Sequence, residues 1–143
     1  MSNIAVDWMA DNGHLFACRD SAGNLVMSGS LPNDQNAGQS FQVTKPTDLL
    51  LMGLATCAAY EVVAILERQR QQLTGLRVDV EAHQQPEPPH AFMDIHMQFH
   101  LSGDQLDPGK AGRALELSVN KYCPVAATLR GAVSITYSFE IEG

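Results

Sequence analysis

Most of the chain alternates between apolar and polar positions, and one long apolar block interrupts the pattern. Leu76, Val78, Val80 and Ala82 alternate with Arg77, Asp79, Glu81 and His83, and Met93, Ile95, Met97, Phe99 and Leu101 are spaced in the same way. A period of two puts one set of side chains on one face of an extended strand, so 76–101 is predicted as two half-buried strands joined across Gln84 to His90, QQPEPPH. Val133, Ile135, Tyr137, Phe139 and Ile141 repeat the pattern and predict a C-terminal strand over 132–141. Near the start, short β-prone runs within 3–30 are separated by Asp11-Asn12-Gly13 and Ser21-Ala22-Gly23-Asn24, the turn chemistry of a three-stranded antiparallel meander. Pro32 to Ser40 is polar, rich in Asn and Gly and without period, and reads as a loop.

The apolar block runs from Leu49 to Leu66. Pro46 suits a first helical position, Asp48 favours the positive end of the helix dipole, and Arg68 and Arg70 favour the other end. Strong helix formers persist to Leu73 and Gly75 follows, which predicts one long helix over about 46–73. Asp107-Pro108 reads as an N-cap followed by proline at the first helical position. It opens a second helix over about 108–121, with Ala111, Ala114, Leu115 and Ser118 on one face. Strands that come in runs, without βα alternation, predict an α+β fold of antiparallel sheets with a long central helix. The 143 residues amount to one folding unit, 1–143.

A helix that is apolar all round is buried all round. A single small sheet covers only one flank of it, so the long helix calls for a second copy of the chain on the other. The same block is just long enough to cross a bilayer, but a carboxylate, Glu61, lies within it and amphipathic strands surround it, so no membrane role is expected. With 9 basic against 16 acidic residues the formal charge is −7, which opposes nucleic-acid binding. The N-terminal MSNIAVDWMADNGH has neither the basic nor the apolar stretch of a signal peptide, so a cytoplasmic location is expected.

Motifs for nucleotide binding and for serine hydrolysis are missing, and the carboxylates lie scattered on polar strand faces. His96 and His100 have a spacing that would pair them on a helix. On a strand four residues span about 13 Å, too far for two imidazoles to close on one metal. The remaining chemistry rests on Cys18, Cys57 and Cys123. No CxxC pair occurs, so neither a disulfide scaffold nor a zinc site is expected. Cys123 precedes Pro124 and is therefore predicted to cap a short helix, where free amides and the dipole favour thiolate; Lys121 adds positive charge nearby. Cys57 lies in the long helix one turn after Gly53, over which its sulfur should lean. That glycine serves either close helix packing or access to the sulfur, and the residues alone leave the two readings even. Cys18 reads as an ordinary strand residue.

Taken together, KPTDLLL from Lys45 leading into GLATC at Cys57, the strand pair, and KYCPV around Cys123 resemble the OsmC/Ohr family of osmotically induced and organic hydroperoxide resistance proteins. The resemblance covers nearly the whole chain. It implies an intertwined homodimer with the long helices packed centrally. It also implies a thiol-dependent peroxidase of organic or hydrogen peroxide in oxidative stress defence, without metal or organic cofactor, recycled by a dithiol or thiol reductant. Carried over, Cys57 is the attacking thiolate and Cys123 the resolving thiol. Thr47 stands where hydroperoxide-resistance members usually carry a glutamate, and Asp48, one residue on, is where many OsmC-like members carry an acid. Arg19, in FACRDSAG, is the candidate for the arginine that holds the thiolate in those members. The alternative is a non-enzymatic dimer that binds a small apolar or thiol-reactive ligand at its interface.

Overall fold

The computed structural model describes residues 1–31 and 43–142, so the loop expected from Pro32 to Ser40 lies outside the described residues. The chain divides into two compact units, Met1–Leu50 and Leu51–Gly143. The first holds a meander of β1 (Ala5–Trp8), β2 (His14–Arg19) and β3 (Leu25–Ser30), in the order β1-β2-β3 and antiparallel throughout. Its turns form as their residues dictate. Asp11 and Gly13 take positive φ, and Asp20 accepts hydrogen bonds from the Ala22 and Asn24 amides to hold the second turn.

Helix α1 runs Pro46–Arg68, with Asp48 in its first turn and Arg68 in its last. It stops short of Leu73. The Gln71 amide donates to the Leu66 carbonyl and the Arg70 amide to Glu67, with Arg70 at φ 58, so the helix ends in a Schellman motif that has arginine in the left-handed position. Gly75 is not the stop signal. It lies within β4 (Gln72–Gln84), beside a register shift between Leu73 and Gly75.

The second sheet has the order β4-β5-β6, with β5 (Phe92–Asp104) in the middle and β6 (Ser134–Glu142) at the edge. β4 and β5 pair antiparallel, as expected of most strands, whereas β5 and β6 pair parallel. A parallel neighbour needs a long crossover. It is supplied by α2 (Pro108–Leu117), a π turn (Ser118–Tyr122) and α3 (Pro124–Leu129). The second helix thus ends sooner than its apolar face predicts and continues as a wider turn. Asp107 caps α2 as expected, accepting from the Gly109 and Lys110 amides.

On β5, Ile95, Met97, Phe99 and Leu101 are fully buried, whereas Met93, expected inside, is exposed at the strand's start. They meet Leu54, Ala58, Val62, Ile65 and Leu66 of α1, and Ala111, Ala114 and Leu115 of α2. Val133, Ile135, Tyr137, Phe139 and Ile141 pack around this core, as their alternation predicts. The other side of α1 leaves Leu50, Met52 and Tyr60 exposed, Tyr60 by 73%. By length and composition α1 is also apolar enough to cross a membrane.

Candidate active site

The core brings Cys57 and Cys123 together. Cys57 sits midway along α1, half-buried, one residue before the fully buried Ala58. Cys123 caps α3 and is fully buried; its backbone is extended and its sulfur accepts the Ala126 amide at 3.4 Å. Cys57 is near enough to influence the ionisation of Cys123.

The expected preference of Cys123 for thiolate is overturned. Burial is the strongest influence on its pKa and raises it; the amides of Ala126 and Val125 pull the other way, and the neighbouring Cys57 adds to the rise. A six-residue helix offers too few aligned dipoles to outweigh an apolar shell. Lys121 gives no help, since its ammonium lies over the Tyr122 ring, 5.3 Å from the centroid. Cys123 is therefore held as a protonated thiol, and of the two cysteines Cys57 is the one solvent reaches.

Among the described residues, a side-chain carbon at Gly53 would meet no atom within 4 Å beyond its own helix backbone and chain neighbours, the Cys57 sulfur included. Among those residues the glycine leaves open space on the exposed side of α1, and no neighbouring helix fills it. Asp48 lies exposed in the first turn of α1, and Arg19 is the exposed last residue of β2, opposite Ala5 and Leu25. Cys18 is half-buried in β2, between Val6 and Val26.

Ser118, read from the sequence only as part of the inner face of the second helix, stands beside the pair. It is fully buried, and its hydroxyl donates at 2.6 Å to the carbonyl of Ala58, the residue after Cys57. Its own carbonyl accepts the Cys123 amide at 2.8 Å. A serine on an otherwise apolar helix face was the available signal.

A second group forms on the polar face of the second sheet, where scattered carboxylates were expected. Register puts His100 opposite Arg77 on one side and Glu140 on the other. The His100 Nδ1 lies 2.8 Å from Glu140 and 3.0 Å from Glu142, and its Nε2 lies 3.0 Å from Asp79, which also pairs with Arg77. Ionised carboxylates only accept, so both ring nitrogens carry protons. Burial opposes that charge, but Glu142, Glu140 and Asp79 outweigh it and the His100 pKa rises. Ligand atoms of His100, Glu140 and Glu142 lie within 4.8 Å of one another, a grouping able to hold a cation, and here the imidazolium itself supplies the positive charge. His96 instead bonds Thr136 and Ser138, so the two histidines do not act as a pair.

Residues 38–138 match the OsmC-like protein family. The chain belongs to that family. Protein YhfA of Escherichia coli K12 is 32% identical over 136 residues, covering 95% of each chain. Among solved structures, an OsmC-like protein from Mycoplasma pneumoniae superposes with a TM-score of 0.82 at 14% identity, covering 100% of this chain and 98% of that one. The organic hydroperoxide resistance protein OhrB of Bacillus subtilis superposes with a TM-score of 0.64 at 20% identity, covering 98% of both. At such identities the likeness establishes the OsmC fold, with its two sheets and long helix.

Proposed function

We propose that this OsmC-like protein is a cytoplasmic thiol peroxidase that reduces organic hydroperoxides or hydrogen peroxide through Cys57 and Cys123. One observation carries the reading: a half-exposed cysteine on a core helix is set beside a fully buried, protonated one. The name of OhrB, a protein of the same fold, points to the same substrate class.

Each step balances. The Cys57 thiolate attacks the outer peroxide oxygen; with one proton the O–O bond breaks, giving Cys57 sulfenic acid and an alcohol, or water when hydrogen peroxide is the substrate. The sulfenic sulfur then takes the Cys123 sulfur, releasing water and leaving a disulfide. A dithiol reductant restores both thiols by exchange. Burial suits Cys123 to the second role, because a protonated thiol closed off from solvent does not compete for peroxide. Asp48 and Arg19 are carried over from the resemblance as candidates for the activation of Cys57, and on that reading Arg19→Ala and Asp48→Ala are each expected to slow its reaction with peroxide.

The exposed Leu50, Met52 and Tyr60 on α1 support a homodimer in which a second copy covers this face. They equally fit the second reading, a dimer that binds a small apolar or thiol-reactive ligand without turnover. Adding cumene hydroperoxide or hydrogen peroxide to reduced protein and counting free thiols separates the two. Loss of two thiols per peroxide, restored by dithiothreitol, is expected. An unreactive Cys57 under excess peroxide, with slow alkylation and a thiol pKa near the ordinary value of about 8.5, supports the binding protein instead.

A further inference from the structure

The buried hydroxyl of Ser118 has no evident task in a core otherwise made of apolar side chains. The Ala58 carbonyl it meets lies inside α1, where the helical ladder supplies an acceptor's usual partner, so α1 does not need the bond. The bond instead ties α1, at the carbonyl of Ala58, the residue after Cys57, to the first residue of the π turn. The other end of that turn is fixed by the same residue, since the Ser118 carbonyl accepts the amide of Cys123. One residue thus bonds to the neighbour of one cysteine through its side chain and to the other cysteine through its backbone.

The π turn itself is set by sequence. Its hydrogen bonds run five residues back, and the next in the series, from residue 124 to the Val119 carbonyl, cannot form because Pro124 has no amide hydrogen. The Arg130 guanidinium donates to that carbonyl at 2.7 Å in its place. Proline therefore gives Cys123 its capping position and leaves a carbonyl that Arg130 satisfies. Ser118 then fixes the completed turn against α1.

We propose that Ser118 is a positioning residue of the thiol pair, holding the Cys123 turn at the distance from Cys57 that disulfide closure requires, with Arg130 supporting the turn. The inference rests on the reading of Cys57 and Cys123 as a redox pair. It adds that pairing depends on a specific latch and not on general core packing. Without the latch the π turn has room to drift, and closure loses the benefit of fixed orientation.

The test compares wild type, Ser118→Ala and Arg130→Met. Each reduced protein is equilibrated in glutathione redox buffers, where two thiols and one oxidised glutathione give one protein disulfide and two reduced glutathiones. Closure is also followed after a single equivalent of cumene hydroperoxide, with dimedone trapping any sulfenate. Ser118→Ala is expected to lower the effective concentration of the pair about fivefold, the factor carried by one ordinary hydrogen bond. Dimedone-trapped Cys57 should accumulate in this variant, while the first reaction with peroxide keeps its rate. Arg130→Met should show a smaller change in the same direction. A purely structural serine would lower the thermal midpoint and leave the thiol equilibrium and the trapping unchanged, and that result overturns the assignment alone. A wild-type protein that forms no disulfide in either experiment overturns the redox pair and the latch together.

Discussion

Replacing Cys123 separates its structural role from its chemical one. The thiol is fully buried and caps α3 through a 3.4 Å bond from the Ala126 amide. Serine keeps the cap with a stronger acceptor than sulfur, gaining a part of the about 0.5–2 kcal/mol by which an N-cap oxygen exceeds alanine. Against this stands the cost of burying a hydroxyl without a full set of partners, about 1–3 kcal/mol. The two nearly cancel, so Cys123→Ser should fall within about 1 kcal/mol of wild type. Cys123→Ala loses the cap and leaves a sulfur-sized void, for a total of about 1–3 kcal/mol. At about 2–4 °C per kcal/mol for a chain of this size, alanine should melt several degrees below wild type. Urea unfolding of the reduced proteins, followed by circular dichroism, gives the ranking. After one equivalent of cumene hydroperoxide, mass spectrometry should find Cys57 as sulfenic acid in both variants, and a second equivalent should carry it to sulfinic acid. A serine variant as unstable as the alanine one refutes the capping argument. Loss of two thiols per peroxide in either variant refutes the pairing of Cys57 with Cys123.

Other consequences are equally direct. Because the folded-state pKa of His100 is raised, folding binds its proton, and the resulting stability is full below the unfolded value of about 6.5 and is lost as pH rises through the higher folded value. The thermal midpoint difference between wild type and His100→Gln should therefore shrink from pH 6 to pH 9, and a constant gap contradicts the carboxylate cage of Asp79, Glu140 and Glu142. Phe99→Ala, at a fully buried site on the central strand, should cost about 3–5 kcal/mol in urea unfolding, and a cost below 1 kcal/mol would mean the core differs from the one described. If a second copy covers α1 as proposed, Tyr60→Glu should lower the mass found by light scattering to that of one chain while leaving the circular dichroism of the fold in place. An unchanged mass would refute the proposal that a second copy covers this face.

Some of this protein can be read from residues that are close together in the chain. Alternation sets β4 and β5, because a strand's faces depend only on a period of two. Pro46 starts α1, and Asp107-Pro108 and Cys123-Pro124 start the shorter helices, because a cap is satisfied by amides two or three residues away. The two cysteine contexts were visible for the same reason. Other features depend on what meets what across the fold. α1 ends at an arginine in left-handed conformation, where local preference favours glycine and pointed to Gly75. The parallel pairing of β6 places Glu140 and Glu142 around His100 and makes a cluster of carboxylates that look scattered along the chain. Cys123 has the cap its sequence predicts but the opposite pKa direction, because burial in the core outweighs a short helix's dipole. The role of Ser118 exists only in three dimensions, where a hydroxyl from one end of the crossover reaches a carbonyl beside Cys57. Local hydrogen bonding and periodicity are written into neighbouring residues, whereas register, burial and distant contacts are decided only when the core closes.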